Sequence, residues 1–169
     1  KAMVGVKGEV VEGYPEVERE GLRRFIQGLM DPDPRFWDEE FAKTTKFGGL
    51  VTPPIYVTYL GKLPPGEEDP VTRAFQENPV SDGIGGVRQR GGLPDVPTNL
   101  VRILNAGNEI EVYRYPKMGD RIFRESSYYK IKESRGRDGS PMLIVTNETK
   151  YTNQDGELLC ISRASGIRR

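Results

Sequence analysis

Residues 141–167 read PMLIVTNETKYTNQDGELLCISRASGI, two runs rich in β-branched and aromatic residues on either side of a polar sequence at 153–156. Runs of this kind, bounded by Asn, Asp and Gly, are typical of strands joined by a turn. Two similar runs precede them. We therefore expect antiparallel strands over 110–115, 121–133, 141–152 and 157–167.

The first third of the chain has helical patterning instead. Within residues 15–29 the apolar side chains recur at the three-and-four spacing of one helical face, and they are Leu22, Phe25, Ile26 and Leu29. The sequence DPDP at 31–34 must end this helix, because each proline disfavours helix in the residue before it. The acidic residues that follow favour a short second helix over 38–42.

A third helix is expected to start near Pro53. Thr52 is suited to cap it and Pro53 to the first helical position, ahead of an apolar run that ends at Leu60. The β-branched residues in that run leave a strand as the competing interpretation. Helices first and strands afterwards predict an α+β fold in which the helices pack on the sheet.

The whole chain, 1–169, is expected to form a single domain with a long excursion at about 61–97. Pro, Gly and charged residues replace any periodicity there. A lid, a partner contact and disorder all remain open for it. Arg88 and Arg90 lie within it and are candidates for contacting a phosphate of coenzyme A.

Composition excludes several classes of protein. Twenty-five basic and 25 acidic residues cancel, so nothing draws the chain to nucleic acid. Histidine is absent, which removes the commonest general base and zinc ligand, and we expect neither a metal nor a cofactor. The single Cys160 cannot form an intrachain disulfide, and no apolar stretch approaches the roughly 20 residues of a membrane span. We expect a cytoplasmic protein.

Four stretches together carry a family resemblance: residues 25–36, residues 48–54, the segment 105–120 that begins NAGNEI, and the segment 149–157. In this order and at these separations the chain resembles the N-terminal-type hotdog domain of MaoC-like dehydratases and enoyl-thioester hydratases. The resemblance covers nearly the whole chain. It implies a curved antiparallel sheet wrapped around the helix that starts near Pro53.

The catalytic members of that family have the pattern D-x-N-P-x-H, whose Asp and His activate a water beside the thioester. The chain reads DPDPRF at 31–36, so Asp31 remains, Asp33 replaces the asparagine and Phe36 replaces the histidine. A phenyl ring cannot accept a proton, so the acid–base pair is incomplete.

A second family feature is a His-Gly pair at the start of the central helix, where the glycine N–H stabilises the thioester oxygen. Pro53 and Pro54 stand there in this chain, and proline has no N–H to donate. Both departures predict a non-catalytic, acyl-binding subunit of an enoyl-CoA hydratase or 3-hydroxyacyl-thioester dehydratase. The resemblance implies that a second hotdog chain supplies the catalytic Asp and His, and that the thioester carrier is coenzyme A or an acyl carrier.

Candidate site residues follow from the same alignment. Asp31 and Asp33 are the candidate catalytic carboxylates, although acids around prolines more often form turns. The substrate-binding candidates are Thr52, Pro54, Tyr56, Asn105, Gly107 and Asn108. Capping by the asparagines and core packing by Tyr56 are the structural alternatives.

Two other functions remain open at this stage. One is a homodimeric hotdog protein that binds an acyl or aromatic ligand without converting it. The other is a dehydratase that works alone through Asp31 or Asp33.

Overall fold

The computed structural model describes residues 2–61, 63–80, 92–100 and 102–169. Its centre is an antiparallel sheet of five strands in the order β1-β3-β4-β5-β2. The strands are β1 (Lys7–Glu12), β2 (Ile103–Val112), β3 (Phe123–Arg135), β4 (Pro141–Thr152) and β5 (Leu158–Arg168). Together with helices that lie between β1 and β2 in the chain, they confirm the α+β fold.

Two helices match the expected amphipathic segments. Helix α1 spans Arg19–Leu29 and begins four residues later than the sequence pattern indicated. A 3-10 turn at Pro34–Phe36 and helix α2 (Glu39–Thr44) follow. Asp38 caps α2, since its Oδ1 accepts a hydrogen bond from the Phe41 N–H at 3.0 Å.

The central helix is far shorter than expected. Helix α3 spans only Tyr56–Tyr59, a single turn. The expectation that Thr52 caps it is wrong, because its hydroxyl donates to the Pro53 carbonyl at 3.2 Å and its N–H donates to the Pro116 carbonyl at 2.9 Å. Two prolines ahead of a β-branched run explain the late start, since β-branched residues have low helix propensity.

The excursion at 61–97 contains a helix, although its composition, rich in Pro, Gly and charged residues, did not predict one. Helix α4 spans Pro70–Glu77, and Asp69 caps it by accepting from the Thr72 N–H at 3.0 Å. Residues 92–100, here termed the strap, then cross the sheet: the Tyr128 hydroxyl donates to the Pro94 carbonyl at 2.8 Å. Arg88 and Arg90 lie outside the described residues.

Two parts of the sheet were not expected. Strand β1 pairs with β3, with Lys7 opposite Ser127. Strand β2 begins at Ile103 rather than at 110, and it carries an irregularity between Asn105 and Gly107 where it pairs with β5. Gly107 has φ +122°, a conformation that other residues rarely adopt. This glycine and the neighbouring asparagines weaken the sequence signal for a strand.

The core lies on one face of the sheet, here termed the inner face. One apolar cluster packs α1 and α3 onto the Tyr151 end of β4, with Leu22, Ile26, Tyr56 and Leu60 among its members. A second cluster packs the strap residue Val96 against Tyr128 and Val145. Val145 and Tyr151 are six residues apart on β4 and therefore point to the same face.

Candidate active site

The Asp31–Asp33 segment forms a hydrogen-bonded turn. Asp31 Oδ1 accepts from the Asp33 N–H at 3.0 Å, and Asp33 Oδ1 accepts from the Arg35 N–H at 3.0 Å. The Arg35 guanidinium also pairs with the Asp33 carboxylate. That hydrogen bond holds the pKa of Asp33 below its ordinary value, so the carboxylate is a weak base.

Arg35 links this turn to the end of the sheet. Its guanidinium lies over the Tyr115 ring, 5.4 Å from the centroid, and its carbonyl accepts from the Val51 N–H at 3.3 Å. The DPDP turn is thereby fixed beside the segment that leads into α3.

Phe36 occupies the position where the family resemblance places the catalytic histidine. Its side chain is 5% exposed and belongs to the apolar cluster beneath α1 and α3. Nearby, the Tyr56 N–H donates to the Pro53 carbonyl at 2.9 Å. If the family resemblance holds at these positions, an apolar ring and two prolines replace the proton acceptor and the N–H donors that hydration requires.

Tyr56 is fully buried in the same cluster. Its ring lies 5.0 Å from that of Phe25 and 5.6 Å from that of Tyr59. Burial raises the pKa of Tyr56 to about 12. Its hydroxyl has no hydrogen-bond partner among the described residues. Tyr56 therefore packs in the core. Its buried, unpaired hydroxyl oxygen lowers the stability of the folded state.

The other candidates lie elsewhere. Asn105, Gly107 and Asn108 are exposed on β2, where Asn105 Oδ1 accepts from the Gly107 N–H at 3.0 Å. Asn105 and Val145 both pair with Gly166 of β5, so they lie at the same level of the sheet. Thr52, Pro54 and Tyr56 lie toward the other level, at the Tyr151 end of β4. Six residues of strand separate these two levels, about 20 Å. The structure does not bring the two groups of predicted site residues together.

A cavity of about 370 Å³ lies beside the α3 segment, here termed the Lys46 pocket. Its walls include three cations, Lys46, Arg114 and Lys117, and the tilted ring pair of Phe47 and Tyr115, 5.2 Å apart. Arg114 is paired with Glu157 at 3.4 Å. Within the described part of the chain, Lys46 and Lys117 have no carboxylate partner. Two carboxylates, Asp120 and Glu157, also line the pocket, so its walls carry three cations and two anions beside aromatic rings. This small excess of positive charge is compatible with a phosphorylated ligand.

Sequence reasoning missed the Lys46 pocket. It forms only because the segment before α3 contacts residues far along the chain, as in the bridge between Val51 and Lys117. Basic and aromatic residues at 46–47 and 113–117 are common on surfaces and do not indicate a shared cavity by themselves. No signal in the sequence alone would have found it.

An antiparallel sheet with helices packed on its inner face is the arrangement expected of a hotdog domain. The chain belongs to the family described as "FAS1-like, dehydratase domain region", whose model matches residues 2–162. It is 22% identical over 154 residues to a UPF0336 protein of Saccharopolyspora erythraea, covering 91% of this chain and 81% of that protein.

Solved structures confirm the hotdog fold. A chain of the ChsH1-ChsH2 complex of Mycobacterium tuberculosis superposes with a TM-score of 0.71 at 12% identity, covering 96% of this chain and 83% of that one. A chain of the HadBC 3R-hydroxyacyl-ACP dehydratase complex of the same organism gives 0.62 at 20% identity, with 98% of both chains covered. A MaoC-like dehydratase of Rhodospirillum rubrum gives 0.57 at 24% identity, covering 96% of this chain and 92% of that one.

Within the described ranges, every helix is too short or too polar to cross a membrane.

Proposed function

We propose that the chain is the accessory, acyl-binding subunit of a heteromeric enoyl-CoA hydratase or 3-hydroxyacyl-thioester dehydratase. The observation that carries this proposal is the buried Phe36, which fills the position of the general base with an apolar ring. The Pro53-Pro54 pair removes the N–H donors of the same site. A partner hotdog chain then supplies the catalytic Asp and His.

Strand β2 supports the need for a partner. It forms one edge of the sheet, is ten residues long and exposes the apolar side chains of Leu104 and Val112. An edge of this length and character is a template for pairing with another strand. The ChsH1-ChsH2 and HadBC structures are both complexes of two different proteins. We infer that the partner strand adds to β2.

The Lys46 pocket supports a phosphorylated carrier. Lys46 and Lys117 lie beside the segment that leads into α3, where the thioester is expected. The sequence-based candidates for the same contact, Arg88 and Arg90, lie outside the described residues and stay a prediction. Phosphate groups of coenzyme A or of a phosphopantetheine arm fit this chemistry.

The test is to purify the chain with its native partner, weigh the complex by native mass spectrometry and assay enoyl-CoA hydration. The complex should contain a second hotdog chain and be active, whereas the lone chain should be inactive. Hydration by the lone chain that is lost in Asp31→Asn would overturn the proposal in favour of a dehydratase that works alone. A homodimer that binds acyl-CoA without turnover would replace it with a binding protein.

A further inference from the structure

A row of stacked cationic and aromatic side chains connects the DPDP turn to the Lys46 pocket. The Arg35 guanidinium lies over the Tyr115 ring, 5.4 Å from the centroid, and the Tyr115 ring lies 5.2 Å from that of Phe47. The Lys46 ammonium lies over the Phe47 ring at 5.3 Å. Cations are attracted to ring faces and rings to each other, so each member of the row restrains the next.

The pocket end of this row lies outside the helices and strands. Lys46 and Phe47 follow helix α2, and Tyr115 follows strand β2. Both rings are partly buried against the larger core cluster and form part of the pocket wall. The contact between the two rings therefore joins two connecting segments that are far apart in the sequence, and it determines where the Lys46 ammonium lies.

The other end of the row is anchored by an ion pair. The Arg35 Nε–H donates to the two carboxylate oxygens of Asp33 at 2.9 and 3.0 Å. The Arg35 backbone N–H donates to the same carboxylate, so the turn itself holds the acid in place. A guanidinium that is bound along its edge by a carboxylate keeps its flat face available for an aromatic ring. Asp33 thereby fixes Arg35, and Arg35 fixes the Tyr115 ring.

Resting on the function proposed above, we propose that Asp33 and Arg35 are positioning residues for the phosphorylated carrier. Their ion pair holds the Tyr115 and Phe47 rings, and the rings hold the Lys46 ammonium where it binds a phosphate of the carrier. An ammonium that is already in place binds more tightly, because less side-chain entropy is lost on binding. The residues at the family's catalytic motif thus serve carrier binding and not proton transfer.

The test measures coenzyme A binding by isothermal titration calorimetry on the protein purified with its partner. Lys46→Gln should weaken binding about tenfold, because it removes a charge-assisted hydrogen bond. Arg35→Gln and Asp33→Asn should each weaken it about two- to fivefold, the effect of one cation–ring contact. Asp33→Asn keeps an oxygen that accepts the backbone hydrogen bond of the turn, so it decides the question if Arg35→Gln folds poorly.

A double-variant cycle separates positioning from direct contact with the carrier. In a Tyr115→Leu background, Arg35→Gln should have no further effect on the affinity for coenzyme A, because Arg35 acts through that ring. An undiminished effect in this background would show that Arg35 contacts the carrier itself, and it would overturn the positioning role.

Arg121→Gln is the matched control. Arg121 pairs with Glu12 at 2.6 Å and lies over the Phe123 ring at 5.5 Å, the same arrangement of acid, guanidinium and ring. Phe123 is not part of the wall of the Lys46 pocket, so the affinity for coenzyme A should be unchanged. Equal weakening in Arg121→Gln and Arg35→Gln would overturn the inference, because any lost surface cation would then have the same effect.

Two outcomes distinguish this inference from the proposed function. Unchanged affinity in Arg35→Gln and Asp33→Asn, together with weaker binding in Lys46→Gln, would overturn the inference and leave the proposed function standing. Unchanged affinity in Lys46→Gln would place the carrier outside the pocket and overturn the inference as well, whereas the accessory role is decided by the hydration assay.

Discussion

At the scale of single residues, Gly21 and Tyr56 set how closely α1 approaches α3. A Cβ on Gly21 would lie 2.6 Å from the Tyr56 hydroxyl oxygen, closer than real Cβ contacts allow. Gly21→Ala should therefore lower the free energy of unfolding by about 1–3 kcal/mol. At a solvent-exposed helix position the same substitution raises it by up to about 1 kcal/mol. Urea denaturation monitored by circular dichroism measures it.

Two further variants separate the clash from other effects. Gly28→Ala lies on the same helix with nothing within 4 Å of the new Cβ, and it should stabilise. Tyr56→Phe removes the unpaired hydroxyl, so it should cost little alone and should restore most of the stability lost in Gly21→Ala. Additive effects in the double variant would show that the two groups do not meet.

The site residues show how far single positions can be predicted from sequence. The turn at Asp31 and Asp33 was foreseeable, because Asp and Pro have local hydrogen-bonding and dihedral preferences. The unpaired hydroxyl oxygen of Tyr56 was not, since burial of one atom depends on which elements pack above it. The pocket that Lys46 and Lys117 share was not foreseeable either, because it forms only when distant parts of the chain pack together.

At the scale of elements, the two edges of the sheet differ. Strand β1 has six residues and an irregular register between Lys7 and Val10, whereas β2 has ten residues. Leu104→Lys places a charge on the β2 edge and should weaken association with the partner at least tenfold, because a charged edge resists pairing. Sedimentation velocity on mixtures of the two chains measures the change.

Val10→Lys is the matched control on the β1 edge, where the side chain is 63% exposed. It should leave association unchanged, and neither variant should alter the melting temperature of the isolated chain by more than a degree or two. If only Val10→Lys abolished association, the partner strand would be inferred to pair with β1 instead of β2.

The bounds of an element could be predicted from the sequence where turn-forming residues flank it. Strand β4 has the expected bounds because Asp138-Gly139 and Asp155-Gly156 flank it. Helix α4 was missed despite a capping signal, Asp69 followed by Pro70, that would have located it. The length of α3 was not predictable, since propensity and the Pro53-Pro54 pair compete and tertiary packing decides.

At the scale of the whole molecule, burial of ionisable groups in the core sets the response to alkali. Burial raises the pKa of Cys160 to about 12, from a reference value of 9.0. Above pH 9 the unfolded thiol ionises and the folded thiol does not, so the unfolded state binds fewer protons and stability falls as pH rises. By pH 10 this pKa difference removes about 1.4 kcal/mol.

Urea unfolding at pH 8, 9 and 10 checks this expectation. Cys160→Ala should be less stable than the unsubstituted chain at pH 8, because it loses buried volume, but it should lose less stability between pH 8 and 10. Burial also raises the pKa of Tyr56 and Tyr151 to about 12, so both proteins should weaken above pH 10. Parallel pH dependence below pH 10 would exclude the thiol as the cause.

The pairing of β1 with β3 also governs how the chain is made. Lys7 meets Ser127, so the first strand leaves the ribosome more than a hundred residues before its partner strand exists. At 5–20 residues per second this wait lasts roughly 6–24 s. Strands β3, β4 and β5 follow one another closely and form hairpins as they emerge. Strand β2 pairs with β5, so the pairings of β5 with β4 and with β2 can form only after this last strand has emerged.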